Sequence, residues 1–487
     1  MMLPLVAIVG RPNVGKSTLF NRLVGRRRAL VLDQPGMTRD RHYGRVTKGP
    51  RPFHLVDTGG FEPDAADGIE VEVRVQARVA VEEADVVILV CDARQGITPT
   101  DEYLARELRA SGRPVLVVAN KVDGRPQDPL IAECHRLGLS PVVGVSAEHG
   151  RGVEELFDAI TEALPPGDAP ASDPQASILA GSDEDGEFDD GEDDDGAPGA
   201  EHDDAAETEE SVVAVPEGPI RVALVGRPNA GKSALLNRLI GQQRSIVSPV
   251  AGTTRDPVDA ELDLPGGSIV LVDTAGIRRR SKTEEAAEKL SVLRAMRCIE
   301  EAHIACLLVD AQTGVATQDA RIATMALEAG RGLVLVFAKM DLMGPAAAAR
   351  RRLLEQRDDE LGFVDYAPVV YLSSVTGAGV NRLLPTVRRV RAQCGRRIAT
   401  AELNRFLEHA VESHPPPAFR GRPVRLYYGT QARVAPPTFV VSTNAVGGVT
   451  TAYRRYLENR LRDRFGFAGT PIRLVFRQRG RKGGRES

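Results

Sequence analysis

The chain of 487 residues lacks several features that mark particular classes of protein. It contains no Trp, and aromatic residues make up only 4% of it. Its five cysteines form no CxxC pair and have no histidines at zinc-ligand spacing, which argues against a structural metal and for a reducing compartment. No apolar run approaches the roughly 20 residues that a membrane-spanning helix needs. The short apolar run at residues 3–9 predicts a buried strand rather than a signal peptide. We therefore expect a cytoplasmic protein without a membrane span.

Basic residues are missing from one long segment. No Lys or Arg occurs from residue 152 to residue 220, and sixteen Asp or Glu residues lie between Asp183 and Glu210. Such a sequence cannot bury enough apolar area to offset its chain entropy, so residues 165–218 are predicted to form a disordered acidic linker. A solvated tether is the favoured interpretation, and a nucleic-acid mimic that folds back on the basic C-terminal region is the alternative. Residues 391–487 carry nineteen Lys or Arg against six acids, and this charge of +13 predicts a polyanionic partner.

Three motifs occur twice, and the members of each pair are separated by the same 216 residues. Val9-Gly-Arg-Pro-Asn-Val-Gly-Lys-Ser17 returns as Val225-Gly-Arg-Pro-Asn-Ala-Gly-Lys-Ser233. Pro35-Gly-Met-Thr-Arg-Asp40 returns as Ala251-Gly-Thr-Thr-Arg-Asp256, and Leu55-Val-Asp-Thr-Gly-Gly60 returns as Leu271-Val-Asp-Thr-Ala-Gly276. One common offset for three motifs indicates a duplicated domain.

Each copy alternates short apolar runs with segments of helical period. In the first copy, the predicted strands are Leu5–Val9, Phe53–Asp57, 86–91, Val115–Asn120 and Val142–Val145. Their continuous apolar character is typical of strands buried on both faces of a parallel sheet. Helical segments, including 17–24 and 71–83, separate them. This alternation predicts an α/β fold with doubly wound, mostly parallel sheets in both copies. The predicted organisation is a first domain at 1–164, the linker at 165–218, a second domain at 219–393, a small α+β domain at 394–478 and a basic tail at 479–487.

The first shared motif is a P-loop, Gly-x4-Gly-Lys-Ser between a strand and a helix. Its glycines let backbone N–H groups and the helix N-terminus point at a phosphate. Lys16 and Lys232 would bridge the β- and γ-phosphates, and the hydroxyls of Ser17 and Ser233 would ligate Mg²⁺. The predicted phosphate-binding residues are Gly10, Arg11, Pro12, Asn13, Val14, Gly15, Lys16, Ser17 and Thr18 in the first copy and Gly226, Arg227, Pro228, Asn229, Ala230, Gly231, Lys232, Ser233 and Ala234 in the second.

The other two shared motifs predict the rest of the phosphate and metal site. Asp57 and Asp273 each end an apolar run, where a carboxylate would hold a Mg²⁺-bound water. Thr38 and Thr254 are the predicted switch residues that complete Mg²⁺ coordination. The glycine that closes each third motif would meet the γ-phosphate through its backbone N–H and report its loss. The predicted contacts of this motif are Asp57, Thr58, Gly59 and Gly60 in the first copy and Asp273, Thr274, Ala275 and Gly276 in the second.

The base is read by Asn120-Lys121-Val122-Asp123, which follows an apolar run. The Asp123 carboxylate can accept two hydrogen bonds from guanine that adenine cannot donate, so the wrong base would leave a buried charge unpaired. Ser146-Ala147 would place a backbone N–H on guanine O6. The first copy is therefore predicted to bind GTP rather than ATP.

The second copy departs from this pattern at the base site. Lys339 and Asp341 are kept, but Ala338 stands where the first copy has an asparagine, and Ser373-Ser374 replaces the closing Ser-Ala. Loss of the amide removes contacts to the base and to the P-loop. We therefore predict weaker nucleotide binding in the second copy.

Water activation needs a device other than the usual glutamine, because Phe61 and Ile277 follow the third motif. Asn13 and Asn229 within the P-loops could each ligate a monovalent cation such as K⁺ beside the phosphates. A hydrogen bond that braces the loop is the alternative role for these asparagines. The predicted catalytic residues are Asn13, Lys16, Thr38, Gly60, Asn229, Lys232, Thr254 and Gly276.

These motifs resemble the Der (EngA) family of GTPases, which has two consecutive G domains followed by a KH-like domain. The resemblance covers all of the chain except the acidic linker. In the C-terminal part it rests on the sequences at 401–405, 414–417, 436–439, 453–460 and 469–473. It implies hydrolysis of GTP to GDP and phosphate, and a role in assembly of the large ribosomal subunit with rRNA or pre-ribosomal particles as partners. The sequence also resembles potassium-stimulated GTPases at Asn13 and Asn229.

The C-terminal domain is predicted to run helix (402–412), strand (424–429), strand (438–442), helix (451–465) and strand (471–476). Tyr453, Tyr456, Leu457, Leu461 and Phe465 lie on one face of the second helix and predict its core side. Five arginines of that helix point elsewhere and are predicted to suit contacts with phosphates: Arg454, Arg455, Arg460, Arg462 and Arg464. The GXXG clamp of RNA-binding KH folds is missing from its usual place between helices. Two interpretations of this domain remain. It binds RNA by shape and charge, or it packs on the G domains and senses their state.

Two classes of function remain open at this point. The first is a GTPase that loads onto rRNA or pre-ribosomal particles in one nucleotide state. The second is a nucleotide-sensing regulatory scaffold in which one G domain controls the other and hydrolysis is secondary. A third, a GTPase of tRNA modification, would bring a cofactor-binding domain that the sequence lacks. We expect a monomer in each case.

Overall fold

The fold is described from a computed structural model of the chain. It describes residues 3–25, 43–47, 51–58, 84–123, 128–166, 218–242, 259–264, 267–274, 284–344 and 346–478. None of the helices in these ranges is both long enough and apolar enough to cross a membrane.

The first domain is built on a six-stranded sheet. Its elements are β1 (Leu5–Val9), α1 (Lys16–Val24), β2 (Tyr43–Val46), β3 (Phe53–Asp57), β4 (Val86–Asp92), α2 (Pro99–Ala110), β5 (Val115–Asn120), α3 (Asp128–Cys134), β6 (Val142–Val145) and α4 (Val153–Ala163). The strand order is β2-β3-β1-β4-β5-β6. All neighbours pair in parallel except β2 and β3, which are antiparallel. Strands β1, β3, β4 and β5 are buried along their whole length, as their apolar sequences predict.

The second domain repeats this topology. Its elements are β7 (Ile220–Val225), α5 (Lys232–Gln242), β8 (Ala260–Leu262), β9 (Ile269–Leu271), α6 (Glu284–Glu301), β10 (Ile304–Asp310), α7 (Thr317–Glu328), β11 (Gly332–Ala338), α8 (Ala346–Leu361), β12 (Val369–Tyr371) and α9 (Leu383–Cys394). The order β8-β9-β7-β10-β11-β12 matches that of the first sheet, again with one antiparallel pair at the β8 edge. The prediction of two doubly wound α/β domains is confirmed.

The C-terminal domain is a small α+β unit. It contains α10 (Thr400–Ser413), β13 (Leu426–Arg433), β14 (Thr438–Thr443), α11 (Thr451–Phe465) and β15 (Arg473–Gln478). The sheet order is β13-β14-β15, with the first pair antiparallel and the second parallel. Side chains of both helices pack on one face of this sheet in a single apolar cluster that includes Leu403, Leu407, Leu457, Leu461 and Phe476.

The C-terminal domain is bonded to the second G domain through the loop after α11. The Gly469 carbonyl accepts a hydrogen bond from Leu333 N (2.7 Å), and Gly469 N donates to the Tyr366 carbonyl (2.8 Å). Arg462 lies 3.9 Å over the Tyr366 ring and donates to the carbonyls of Phe467 (2.8 Å) and Thr470 (2.9 Å). The expectation that Arg462 suits phosphates is therefore wrong, because the loop and the tyrosine occupy its guanidinium.

Candidate nucleotide-binding sites

The first P-loop connects β1 to α1, and its backbone geometry requires glycine. Gly15 has a left-handed φ of 94°, and a Cβ there would lie 2.3 Å from Asn120 Nδ2. A Cβ on Gly10 would lie 2.5 Å from the Val90 carbonyl oxygen at the neighbouring strand. The loop therefore approaches its surroundings more closely than any side chain would allow.

The P-loop lysines donate hydrogen bonds to carbonyls of their own loops. Lys16 Nζ donates to the carbonyls of Gly10 (2.7 Å) and Arg11 (2.8 Å), and it is only 6% exposed. Lys232 Nζ makes the same two bonds, to Gly226 and Arg227, at 2.6 Å each. Burial lowers the pKa of Lys232 to about 8. Both ammonium groups are thus held where the phosphates of a nucleotide in the cradle would meet them.

The first copy also brings together two of its three predicted metal ligands, Ser17 and Asp57. Ser17 Oγ donates to Asp57 Oδ2 at 2.7 Å, and Asp57 is fully buried at the end of β3. A hydroxyl and a carboxylate in contact are hard oxygen donors of the kind that Mg²⁺ prefers, so these residues fit the ion. Thr58, the next residue, donates through its hydroxyl to the Ile8 carbonyl (2.6 Å) and ties the end of β3 to β1.

The second copy arranges the matching carboxylate differently. β9 ends two residues before Asp273, which adopts a left-handed φ of 51°. The Cys298 thiol donates to Asp273 Oδ2 at 3.5 Å, and Asp273 N donates to Asp259 Oδ1 at 3.1 Å. Mg²⁺ held at Asp273 would therefore compete with a thiol that has no counterpart in the described part of the first site.

Asn120 links three segments of the first base site. Its Nδ2 donates to the Val14 carbonyl (2.8 Å) and its Oδ1 accepts from Ala147 N (3.0 Å), so it joins the P-loop to the loop after β6. Lys121 has a left-handed φ of 70° and donates to the Asn13 carbonyl (2.9 Å) and to Asp92 Oδ2 (2.7 Å). These bonds fix the edges of the pocket in which a guanine would lie.

Asp123, the predicted base reader, accepts a hydrogen bond from Ser146 Oγ (2.7 Å) and pairs with Arg94. The serine hydroxyl, together with the nearby guanidinium, lowers the pKa of Asp123, so this carboxylate is ionised at neutral pH. An ionised carboxylate accepts hydrogen bonds only, which suits the two donors of guanine.

The second base site keeps the lysine contact but lacks the asparagine bridge. Lys339 again has a left-handed φ (59°) and donates to Asp310 Oδ2 (2.7 Å). Ala338 is buried, and a Cβ added to Gly231 would lie 3.7 Å from the Ala338 Cβ. Space is therefore open where the first copy has an amide. Ser373 is also buried, and its Oγ accepts from Thr376 N (3.1 Å).

Sequence reasoning missed a pair of buried aspartates behind the P-loops. Arg11 Nε lies 3.3 Å from Asp101, and Arg227 Nε lies 2.9 Å from Asp319, and both carboxylates are fully buried. Asp101 and Asp319 also accept hydrogen bonds from the backbone N–H groups of Thr98 and Ala316 that begin α2 and α7. The arginine side chains therefore point away from the cradle, and only their backbone can contact a phosphate. The Thr98-x-x-Asp101 capping pattern was the available signal.

Six of the predicted site residues lie outside the described residues. They are Thr38, Gly59, Gly60, Thr254, Ala275 and Gly276. Phe61 and Ile277, the predicted helix at 71–83, nearly all of the acidic linker and the basic tail lie outside them as well.

Comparison with known proteins identifies the family. A model described as 50S ribosome-binding GTPase matches residues 5–121 and 221–339, and one described as the KH-domain-like C-terminal part of EngA bacterial GTPase enzymes matches 397–477. GTPase Der of Syntrophotalea carbinolica is 43% identical over 98% of this chain and 99% of its own. The chain belongs to the Der family of GTPases. GTPase Der of Myxococcus xanthus is likewise 43% identical, over 100% of this chain and 98% of its own. As a Der family protein, the chain binds and hydrolyses GTP, which confirms the resemblance that the paired motifs carry.

Proposed function

We propose that this Der family GTPase acts in assembly of the large ribosomal subunit and binds rRNA or pre-ribosomal particles in a nucleotide-dependent way. The observation that carries the proposal is the combination of two G domains with a basic KH-like domain bonded directly to the second of them. The charge of +13 on residues 391–487 suits a polyanion. The five cysteines are buried and form no disulfide, which fits a reducing cytoplasm, and a monomer is proposed because each G domain carries its own site.

In each site the chain's own residues contact the phosphates and the base of the nucleotide. The P-loop backbone and Lys16 or Lys232 contact the phosphates, and Asp123 or Asp341 accepts the guanine N–H groups. Mg²⁺ would be held by Ser17, Thr38 and Asp57 in the first site and by Ser233, Thr254 and Asp273 in the second. When bound, the ion neutralises charge on the phosphate oxygens. Gly60 and Gly276 are the proposed sensors of the γ-phosphate.

Sedimentation with purified large ribosomal subunits tests the proposed function. We expect the full chain to cosediment more strongly with a non-hydrolysable GTP analogue than with GDP. The same measurement on Lys16→Ala and Lys232→Ala separately identifies which G domain governs loading. Equal cosedimentation in both nucleotide states would contradict a loading cycle and favour a scaffold in which hydrolysis is secondary.

K⁺ is the proposed activating cation, bound by the side chains of Asn13 and Asn229. Both residues adopt the left-handed conformation, with φ of 64° and 62°. Within the described residues neither carboxamide makes a hydrogen bond, although such a bond would be needed to brace the loop. A monovalent cation beside the phosphates would supply positive charge where no glutamine positions water.

Exchange of K⁺ for Na⁺ at constant ionic strength is expected to lower GTP turnover about tenfold, which corresponds to loss of one charge interaction of about 1.4 kcal/mol in the transition state. Turnover is measured as phosphate release by the full chain. The variant Asn13→Ala, in a chain carrying Lys232→Ala, should no longer respond to the exchange. The same turnover in both salts would rule out the cation and leave Asn13 and Asn229 as loop residues.

A further inference from the structure

Two adjacent tyrosines on β13 are exposed to solvent. Tyr427 is 43% exposed and Tyr428 is 52% exposed. Exposed aromatic rings are notable in a chain with only 4% aromatic residues. Consecutive residues of a regular strand point to opposite faces of the sheet, and one face of this sheet is covered by helices. Exposure of both rings therefore needs a local departure from regular pairing.

A β-bulge supplies that departure. Leu426 pairs with Thr443 and Gly429 pairs with Val441, so three steps along β13 oppose two along β14. Leu426 packs against the apolar cluster, and a Cβ on Gly429 would lie 2.5 Å from Leu407, so both residues face the helices. The extra residue lies between them. Tyr427 and Tyr428 are thus both directed away from the core.

Side-chain amides fix the backbone on both sides of the bulge. Asn404 accepts from Gly429 N (2.7 Å) and donates to the Gly429 carbonyl (3.1 Å). Asn444 accepts from Arg425 N (2.8 Å) and donates to the Pro423 carbonyl (3.0 Å). The two rings are therefore presented on a rigid backbone, which lowers the entropy cost of binding a ligand there.

Positive charge lies directly before the tyrosines. Arg420, Arg422 and Arg425 are exposed, and the sequence contains no Asp or Glu from residue 413 to residue 457. Phe419 and Arg422 exchange two backbone hydrogen bonds (2.9 and 3.0 Å) around Arg420 and Gly421, whose φ values of 51° and 78° define a type I′ turn. Arg420 is thereby held at the tip of a tight turn that precedes the strand in the chain.

We propose that this surface, Arg420, Arg422, Arg425, Tyr427 and Tyr428, is a binding site for single-stranded RNA, and we name it the tyrosine–arginine strip. Unpaired bases stack on the two rings, and the arginines contact the backbone phosphates. The rings decide between anionic partners. An acidic peptide offers carboxylates to the arginines but nothing that stacks on two tyrosines, whereas every base has a flat face. The inference rests on the proposed function for its RNA partner, and it places the contact outside the groove that a GXXG loop would line.

The test is fluorescence anisotropy of a labelled 12-nucleotide oligouridylate with the full chain. Tyr427→Ala and Tyr428→Ala are each expected to weaken binding about tenfold, the size of one lost stacking contact. Tyr427→Phe and Tyr428→Phe, which keep the ring, should stay within about twofold of the wild type. Changing Arg420, Arg422 and Arg425 together to Gln should reduce the slope of log affinity against log salt by about 2, because each phosphate contact to a single strand contributes about 0.7. The alanine variants should leave that slope unchanged.

Three controls make the outcome specific. Tyr103→Ala removes a tyrosine that lies beside Arg106 in the first G domain, 5.7 Å from ring to guanidinium, and should leave oligouridylate binding unchanged. Binding of heparin, which has charge but no bases, should be insensitive to both alanine variants. A synthetic peptide of residues 183–210 tests the chain's own acidic segment. If that peptide bound with the same tyrosine dependence as RNA, the acidic segment would be the occupant and the RNA site would be overturned.

Failure of this inference is distinguishable from failure of the proposed function. Unchanged oligouridylate affinity in both alanine variants overturns the strip, even if the wild type still cosediments with ribosomal subunits in a nucleotide-dependent way. Tenfold losses on oligouridylate support the strip, even if the wild type shows no such cosedimentation.

Discussion

Replacing Lys16 by alanine should lower GTP turnover in the first G domain by about 10²- to 10³-fold. The negative charge of the transferred phosphoryl group is stabilised by fixed positive groups rather than by covalent chemistry. Lys16 is buried, and two carbonyls already hold its ammonium group in the cradle. The side chain therefore does not have to move during the reaction. No other residue in the described part of the P-loop carries a cation into the cradle, because Arg11 pairs with Asp101.

The measurement is single-turnover phosphate release with the full chain in excess over GTP. Lys16→Ala, Lys232→Ala and the double variant are compared, because each single variant reports the turnover of the opposite domain. The double variant should retain no more than about 1% of wild-type turnover. Substantial hydrolysis by the double variant would show that the P-loop lysines are not needed for the chemistry. The ratio of the two single variants separates two working enzymes from one enzyme paired with a sensor.

The sequence was most informative where local chemistry decides the structure. The five strands predicted for the first domain coincide with β1, β3, β4, β5 and β6 to within one residue. Apolar runs this short, bounded by polar residues, are typical of buried strands and too short for most helices. The edge strand β2 (Tyr43–Val46) was not predicted. It is four residues long and includes a glycine and an arginine, and it exists because it pairs with β3.

Strand β13 shows a different limit. The predicted strand ends at Gly429, but β13 continues to Arg433. Bulges at Tyr427–Tyr428 and before Arg433 break the alternation of buried and exposed residues on which the prediction depends. A bulge is a property of pairing between two strands, so periodicity along one strand does not report it.

The candidate sites show the same contrast between features set by adjacent residues and features set by tertiary contacts. The P-loops and the motif predicted to read guanine were recognisable in the sequence because each consists of adjacent residues and backbone groups. The ion pair of Arg11 with Asp101 and the contact of Cys298 with Asp273 join positions far apart in the chain, and no spacing rule connects them. The differences between the two copies therefore lie partly in tertiary contacts that a motif comparison does not contain.

The asparagine bridge accounts for a predicted difference in affinity between the two copies. Asn120→Ala should weaken GTP binding to the first domain about 10- to 100-fold. The amide holds the P-loop and the loop after β6 together before nucleotide binds, so without it part of the binding free energy is spent on ordering the two loops. Ala338→Asn in the second domain should have the opposite effect and strengthen GTP binding about tenfold, because the space over Gly231 can hold the added amide.

Titration with a fluorescent guanine nucleotide measures both effects, with the opposite domain disabled by Lys232→Ala or Lys16→Ala. Thermal unfolding without nucleotide is the control for stability, since a loss of affinity from a loosened fold would be accompanied by a lower Tm.

Comparison of guanine and hypoxanthine nucleotides separates the bridge from base reading. Asn120→Ala should weaken both nucleotides by the same factor, because Asn120 acts through the P-loop and the Ala147 backbone. If Ala338→Asn left the affinity of the second domain unchanged, the missing amide would not explain the difference between the copies. The thiol contact at Asp273, another difference among the described residues, would then be the next one to test.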